Sequence, residues 1–194
     1  RQLSVNIASN IQGKLFPGLT YYPCSGTRLH ADPLVLIHGW GADSQIWGDL
    51  PQQLSEWADV ITLDLPGFGA SEALQHYSAD SMLQWMHRAL PDQSLLLGLS
   101  LGGMLCHRYA ATYPQRVSGL ILLSSNRQFV ADAGYQSAMP QADFDGFLHS
   151  WQNDPNSCLK RFASLQAQGD RQQRQLIRQL RAMQVNMDPQ AAEA

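Results

Sequence analysis

Ser100 lies in the run Gly98-Leu99-Ser100-Leu101-Gly102-Gly103, a hydroxyl with a glycine two positions to either side. That spacing suits a serine held at the tip of a very tight turn, where bulkier neighbours would collide with the chain entering and leaving it. Ser94 to Leu97 reads as a short buried strand leading in, and Met104 to Tyr113 as a helix leading out, stopped by Pro114. Strand, turn and helix together would lift the Ser100 hydroxyl above a sheet. They would also aim the backbone N–H of Leu101 at the place where an oxyanion forms when the hydroxyl attacks an acyl carbon. The alternative is a serine that only caps its helix.

The elements that must position this serine can be read outward from it. At 194 residues and 44% hydrophobic content the chain has the size of one ordinary globular domain. Its longest apolar runs, such as Pro33 to Ile37 and Leu120 to Leu123, are far shorter than the ~20 residues that span a bilayer, so no membrane partner is expected. Three widely spaced cysteines, Cys24, Cys106 and Cys158, form neither a disulfide framework nor a metal-ligand set. The first 18 residues lack a signal-peptide pattern, and a cytoplasmic location is expected. A net charge of −3 argues against nucleic acid as a partner.

In chain order, Leu3, Val5 and Ile7 alternate as a half-buried strand would, and Leu19 to Tyr22 is a second edge candidate. Leu34 to Ile37 and Val60 to Leu63 read as strands buried on both faces. The first ends in His38-Gly39-Trp40-Gly41 and the second in Asp64-Leu65-Pro66-Gly67-Phe68-Gly69-Ala70-Ser71. Between them Asp43 or Ser44 caps a helix expected to run to about Trp57, with Ile46, Leu50 and Leu54 on one face. A further helix starts at Ser78 or Asp80 and ends near Pro91, and Val117 to Leu123 is a last buried strand. Strands alternating with helices argue an α/β fold with a mostly parallel sheet flanked by helices, whose three glycine-bearing turns cluster at the carboxyl ends of the strands.

From about Asp143 strand candidates cease, and helices are expected over Ala142 to Trp151, Pro155 to Gln168 and Arg171 to Val185. We therefore divide the sequence into 1–126, part of an α/β core, and 127–194, a helical block that serves either as a lid or as an extension packed elsewhere. Across residues 160 to 181 of that block Lys160, Arg161, Arg171, Arg174, Arg178 and Arg181 stand against a single anion, Asp170. At ~100° per residue the four later arginines share one helix face, opposite Leu176, Ile177, Leu180 and Met183. The face is either simply solvated or a docking surface for an acidic partner.

Taken together, the loops at His38 to Gly41 and Asp64 to Ser71 and the turn at Gly98 to Gly103 resemble those of the α/β-hydrolase superfamily. Within it the chain is most similar to the esterases that cleave the methyl ester of pimeloyl-acyl carrier protein in biotin synthesis. The resemblance runs from about Leu34 to the end of the chain and is looser after Ser125. It implies a serine carboxylesterase without cofactor or metal, a monomer acting on small esters or on an acyl group borne by acyl carrier protein. Ser100 is then the nucleophile, and the backbone N–H groups of Trp40 and Leu101 form the oxyanion hole. The Trp40 indole would wall the acyl pocket, although it also fits a core aromatic. By the same likeness Phe162, Ala163, Ser164, Leu165 and Gln166 would line the substrate channel, and Arg161, Arg174 and Arg178 would dock the carrier protein.

The resemblance also implies an acid and a histidine after the nucleophile. Downstream of Ser100 stand only His107 and His149. The first is ~10 Å up the same helix; the second, beside Asp143 and Asp145, reaches only if its helix folds over Ser100. His38 precedes the nucleophile and reads as structural, as does Asp64. The triad acid and histidine are thus expected to be absent from this sequence, which reads as lacking ~60 residues, two further strand–helix units. Val117 to Leu123 would then be an exposed apolar edge. Two rivals remain: a small-ester or carbon–carbon bond hydrolase of the same fold, and a non-catalytic binding module that keeps the turn without a base.

Overall fold

A computed structural model of the chain describes residues 16–183 and 185–193. The strand expected at Leu3 to Ile7 lies outside the described residues. Two compact units result, one of residues 16–127 with Val185–Ala192, the other of 128–183 with residue 193. The helical block read from the sequence as 127–194 therefore gives up Val185–Ala192 to the sheet unit.

The sheet unit has five strands: β1 (Leu19–Tyr22), β2 (Leu34–Ile37), β3 (Val60–Leu63), β4 (Ser94–Leu99) and β5 (Val117–Leu123). Their order is β1-β3-β2-β4-β5, with β1 antiparallel to β3 and every other pair parallel. β2 and β3 are buried along their whole length, which is why they read as unbroken apolar runs rather than alternating ones. Alternate residues of β2 serve two cores. Val35 and Ile37 pack with Ile61, Leu63, Leu96 and the helices α2 (Ala79–Ala89) and α3 (Leu101–Thr112). Leu34 and Leu36 pack on the other face with Trp47, Leu50 and Leu54.

α2 starts where its sequence says it should: Ser78 accepts the Ser81 N–H, and the Ser81 hydroxyl accepts the Ser78 N–H. The helix expected from Asp43 to Trp57 is instead two pieces. Asp43 caps a single 3-10 turn, Ser44–Trp47, by accepting the Gln45 N–H, and Gly48 at φ +52° then leaves the helical region. α1 (Leu50–Leu54) restarts with Pro51, which has no N–H to give the preceding turn.

At the other end of the strands, Asp59 ties the sheet to the segment before β2. Its carboxylate pairs with Arg28 at 2.6 Å and accepts the Tyr21 hydroxyl and the Cys24 N–H, both at 2.9 Å. Burial by itself would raise this carboxyl, but the three partners outweigh it and hold Asp59 below the usual carboxylate range.

Among the described residues no strand pairs with the outer edge of β5, where Ile121, Leu122 and Leu123 are about 40% exposed. Leu96, on the neighbouring strand, is fully buried. Leu96→Ala should therefore cost ~3 kcal/mol of stability, and Leu122→Ala about 1 or less. Urea denaturation at constant slope checks this, and equal costs would contradict the burial assigned to the two strands.

The second unit is helical: α4 (Gln141–Asn153), α5 (Pro155–Gln166) and α6 (Gln173–Ala182). Asp154 ends α4 and caps α5, accepting the Ser157 N–H at 3.0 Å, with Pro155 in the first turn. Trp151, Cys158, Ala163 and Ala167 are buried within it, and Phe147 meets Phe162 edge to face. No helix of the described residues is long and apolar enough to cross a membrane.

Candidate active site

Ser100 sits between the last residue of β4 and the first of α3, at φ +51° and ψ −115°. A non-glycine residue in that region is strained by ~1–3 kcal/mol and stays there only when its surroundings hold it. They do so through the backbone. The Ser100 N–H donates to Leu123 O at 2.9 Å, and its carbonyl accepts from the Ser125 hydroxyl at 2.9 Å and the Met104 N–H at 3.0 Å. The glycines are needed for close approach. A Cβ on Gly98 would lie 2.5 Å from the Gly103 Cα, and one on Gly102 would strike the backbone carbonyls of Ile37 and His38. The serine side chain makes no capping bond, and its backbone lies outside the extended region that capping residues use. The capping alternative is thereby set aside.

α3 begins at Leu101, whose N–H is one of the four a helix leaves without an internal partner, at the positive end of its dipole. Gly39 brings the loop after β2 to the same point: a Cβ on it would be 3.1 Å from the Ser100 Cβ. Trp40 follows, half-buried against the core, its indole N–H donating to Ala192 O at 2.9 Å.

His38 is fully buried with both ring nitrogens engaged. Because the Leu65 N–H donates to Nε2 at 2.9 Å, Nε2 is bare; Nδ1 therefore carries the proton and donates it to Gly39 O at 2.8 Å. This neutral imidazole ties the loop holding Gly39 and Trp40 to the loop after β3, and it has no nitrogen left for Ser100. Asp64 completes the tie, accepting the Ser44 N–H at 2.8 Å and the Ala70 N–H at 2.9 Å. Both residues are structural, as their place in the sequence suggested.

Burial holds the His38 pKa below its ordinary 6.5, despite the Gly39 carbonyl and the nearby Asp64 and Asp43. The unfolded chain therefore takes up this proton first as pH falls. Stability is complete above about pH 6.5 and declines from there down to the depressed folded value. Melting temperatures measured from pH 8 to 5.5 should show that decline. His38→Gln, which can donate and accept but does not titrate, should be less stable at pH 8 and flatter below 6.5; an unchanged slope would contradict the assignment.

Five other histidines stand in the chain. His30 bonds Asp32 O, and His87 stacks on Tyr113 at 4.4 Å. His76, His107 and His149 are exposed. Among the described residues no imidazole is hydrogen-bonded to the Ser100 hydroxyl.

In the helical unit, Phe162 to Gln166 lie on α5, where 3.6 residues per turn prevents five consecutive side chains from forming one wall. Ala163 is buried inside the unit, and the Ser164 hydroxyl donates to Lys160 O and accepts from Arg181. Leu165, 60% exposed, and Gln166 are exposed, while the half-buried Phe162 packs against Phe147. Arg161, Arg174 and Arg178 are exposed. α6 starts at Gln173, so Arg171 precedes the helix instead of lying on it. Arg181 is occupied, donating to Lys160 O at 3.2 Å and Ser164 Oγ at 3.1 Å.

A model of the alpha/beta hydrolase fold matches residues 32–184. The chain belongs to the α/β-hydrolase fold family. This hydrolase-fold chain is 43% identical over 148 residues to a "Biotin biosynthesis bifunctional protein BioHC" of Cellvibrio japonicus, covering 76% of the chain and 30% of that protein. It is 36% identical over 160 residues to a "Pimeloyl-[acyl-carrier protein] methyl ester esterase" of Serratia marcescens, covering 82% and 62%. It thus spans between 30% and 62% of the length of these two relatives. In fold it is similar to an esterase from Exiguobacterium antarcticum, with TM-score 0.72 at 22% identity over 90% of this chain and 66% of that one. It is likewise similar to MenH from S. aureus, with TM-score 0.69 at 20% identity over 91% and 68%.

Sequence reasoning missed the segment Asn186–Ala192, which packs on the loop after β3. Its signal was present: Asp188-Pro189 is a capping residue followed by a proline at the first helical position, and α7 (Pro189–Glu193) begins there.

Proposed function

We propose that this chain carries the nucleophile of a serine carboxylesterase that hydrolyses the methyl ester of a pimeloyl group borne by acyl carrier protein. The strained backbone of Ser100, at the junction of β4 and α3, carries the reaction class. The similarity to the Serratia marcescens esterase supports the substrate. In this reading the Ser100 Oγ attacks the ester carbonyl while its proton passes to a base. The Trp40 and Leu101 N–H groups take the charge on the carbonyl oxygen, at ~3 kcal/mol each. The tetrahedral intermediate expels methanol, which leaves with that proton, and water then cleaves the acyl-enzyme to the free acid. No cofactor or metal takes part. Both ring nitrogens of His38 are taken up by Gly39 O and the Leu65 N–H, so His38 is not that base.

The helical unit takes the role of a lid, with Phe162, Leu165 and Gln166 as acyl-contacting residues and Arg161, Arg174 and Arg178 as the docking site for the acidic carrier. The exposure of Leu165, Gln166 and the three arginines fits that role, and concentrated positive charge steers an anionic partner. A cytoplasmic monomer is proposed. The experiment compares turnover, by the full-length protein, of the carrier-bound methyl ester with that of p-nitrophenyl acetate. A kcat/KM at least 100-fold higher for the carrier-bound ester is expected; parity would favour a small-ester hydrolase of the same fold.

A further inference from the structure

Residues Asn186–Ala192 form a strap along the loop after β3. The Gly69 N–H donates to Asn186 O at 2.8 Å, the Asp188 N–H donates to Gly67 O at 2.7 Å, and Phe68 and Met187 pair as an isolated antiparallel bridge. Asp188 Oδ1 then accepts the N–H groups of Gln190 and Ala191 at 2.9 and 3.2 Å, turning the chain into α7. Ala191 and Ala192 are buried. The fit is tight: a Cβ on Gly67, which sits at φ +79°, would lie 2.5 Å from the Ala191 Cβ. The strap ends on Ala192 O, the acceptor of the Trp40 indole N–H.

Gly39 lies against Ser100, where a Cβ on it would be 3.1 Å from the Ser100 Cβ, and Trp40 is the next residue in that loop, so the esterase reading sets its side chain beside the acyl group. An indole has two rotatable bonds and a single donor, and a buried acceptor for that donor selects one orientation. Small residues in the strap let α7 come close enough to offer it. We propose, resting on the esterase reading, that the strap is a specificity element: Ala191 and Ala192 position the Trp40 indole, and the indole so held sets the length of acyl chain accepted beside Ser100. Ala191 acts through Trp40 and is a positioning residue.

The test uses the full-length protein with 15N-labelled tryptophan and two substrates, p-nitrophenyl acetate and p-nitrophenyl octanoate. The Trp40 indole N–H should exchange with solvent at least tenfold more slowly than that of Trp57, which is 51% exposed. Ala191→Leu, which overfills the contact with Gly67, should abolish that protection. It should also change the octanoate-to-acetate ratio of kcat/KM at least fivefold, mainly through KM. Asp188→Ala, which only removes the cap, should act in the same direction and carries the test if Ala191→Leu does not fold. A Trp40 N–H that exchanges as fast as Trp57, or lost protection with an unchanged ratio, overturns the proposal. A protected Trp40 in a protein that hydrolyses neither ester overturns the esterase reading and, with it, the specificity role, leaving the strap as an anchor alone.

Discussion

Ser100→Ala in the full-length protein should lower kcat for the carrier-bound ester by about 10⁶-fold, to the level left by binding and the oxyanion donors alone. The substitution removes a single oxygen and none of the contacts that hold the turn, since the bonds to Leu123, Ser125 and Met104 are all made by the backbone. Folding and substrate affinity should therefore change little. A paired variant separates chemistry from strain. Ser100→Gly is as inactive as Ser100→Ala but should be more stable than it by about 1 kcal/mol, because glycine adopts φ +51° without penalty. A Ser100→Ala protein retaining a tenth of its turnover would show that this hydroxyl is not the nucleophile.

The double substitution Arg174→Glu with Arg178→Glu should raise KM for the carrier-bound ester by about 100-fold, roughly tenfold or 1.4 kcal/mol for each reversed contact. Turnover of p-nitrophenyl acetate should be unaffected. Both side chains are exposed and sit one turn apart on α6, so reversing them costs the helix little. The effect should shrink as salt shortens the Debye length below ~8 Å. Arg181→Glu should behave differently, because Arg181 is bonded to Lys160 O and Ser164 Oγ; it should loosen the packing of α6 on α5 and lower the melting temperature. Equal loss on both substrates in the double variant would remove the docking role.

Where burial is two-sided the sequence announced it. Leu34–Ile37 and Val60–Leu63 are apolar without a break because each face of the sheet meets its own core, and the turns that follow them carry glycines for close approach. The turn at Ser100 was legible for the same reason: only small residues fit at Gly98 and Gly102, and a tight steric demand leaves a visible pattern. Features set by distant partners were not legible. Tyr21 and Arg28 stand 38 and 31 residues from Asp59 in sequence, and nothing local marks the three as one network. The interruption at Gly48 was hidden behind Ile46, Leu50 and Leu54, whose spacing suits one helix but serves two pieces packed on one core. The strap was hidden because its determinants are alanines, which pack closely without carrying chemistry of their own. On α5, the run Phe162 to Gln166 matched a family pattern, yet helical geometry divides it between an interior, a bond to Arg181 and an outer face.

The most direct measurement of the central claim is covalent labelling of the full-length protein with a fluorophosphonate, followed by peptide mass spectrometry. The expected result is a single stoichiometric adduct on the peptide containing Ser100, absent from Ser100→Ala. A protein that turns over ester while its adduct maps to another residue, or that is labelled equally after Ser100→Ala, would contradict the claim that this serine is the nucleophile.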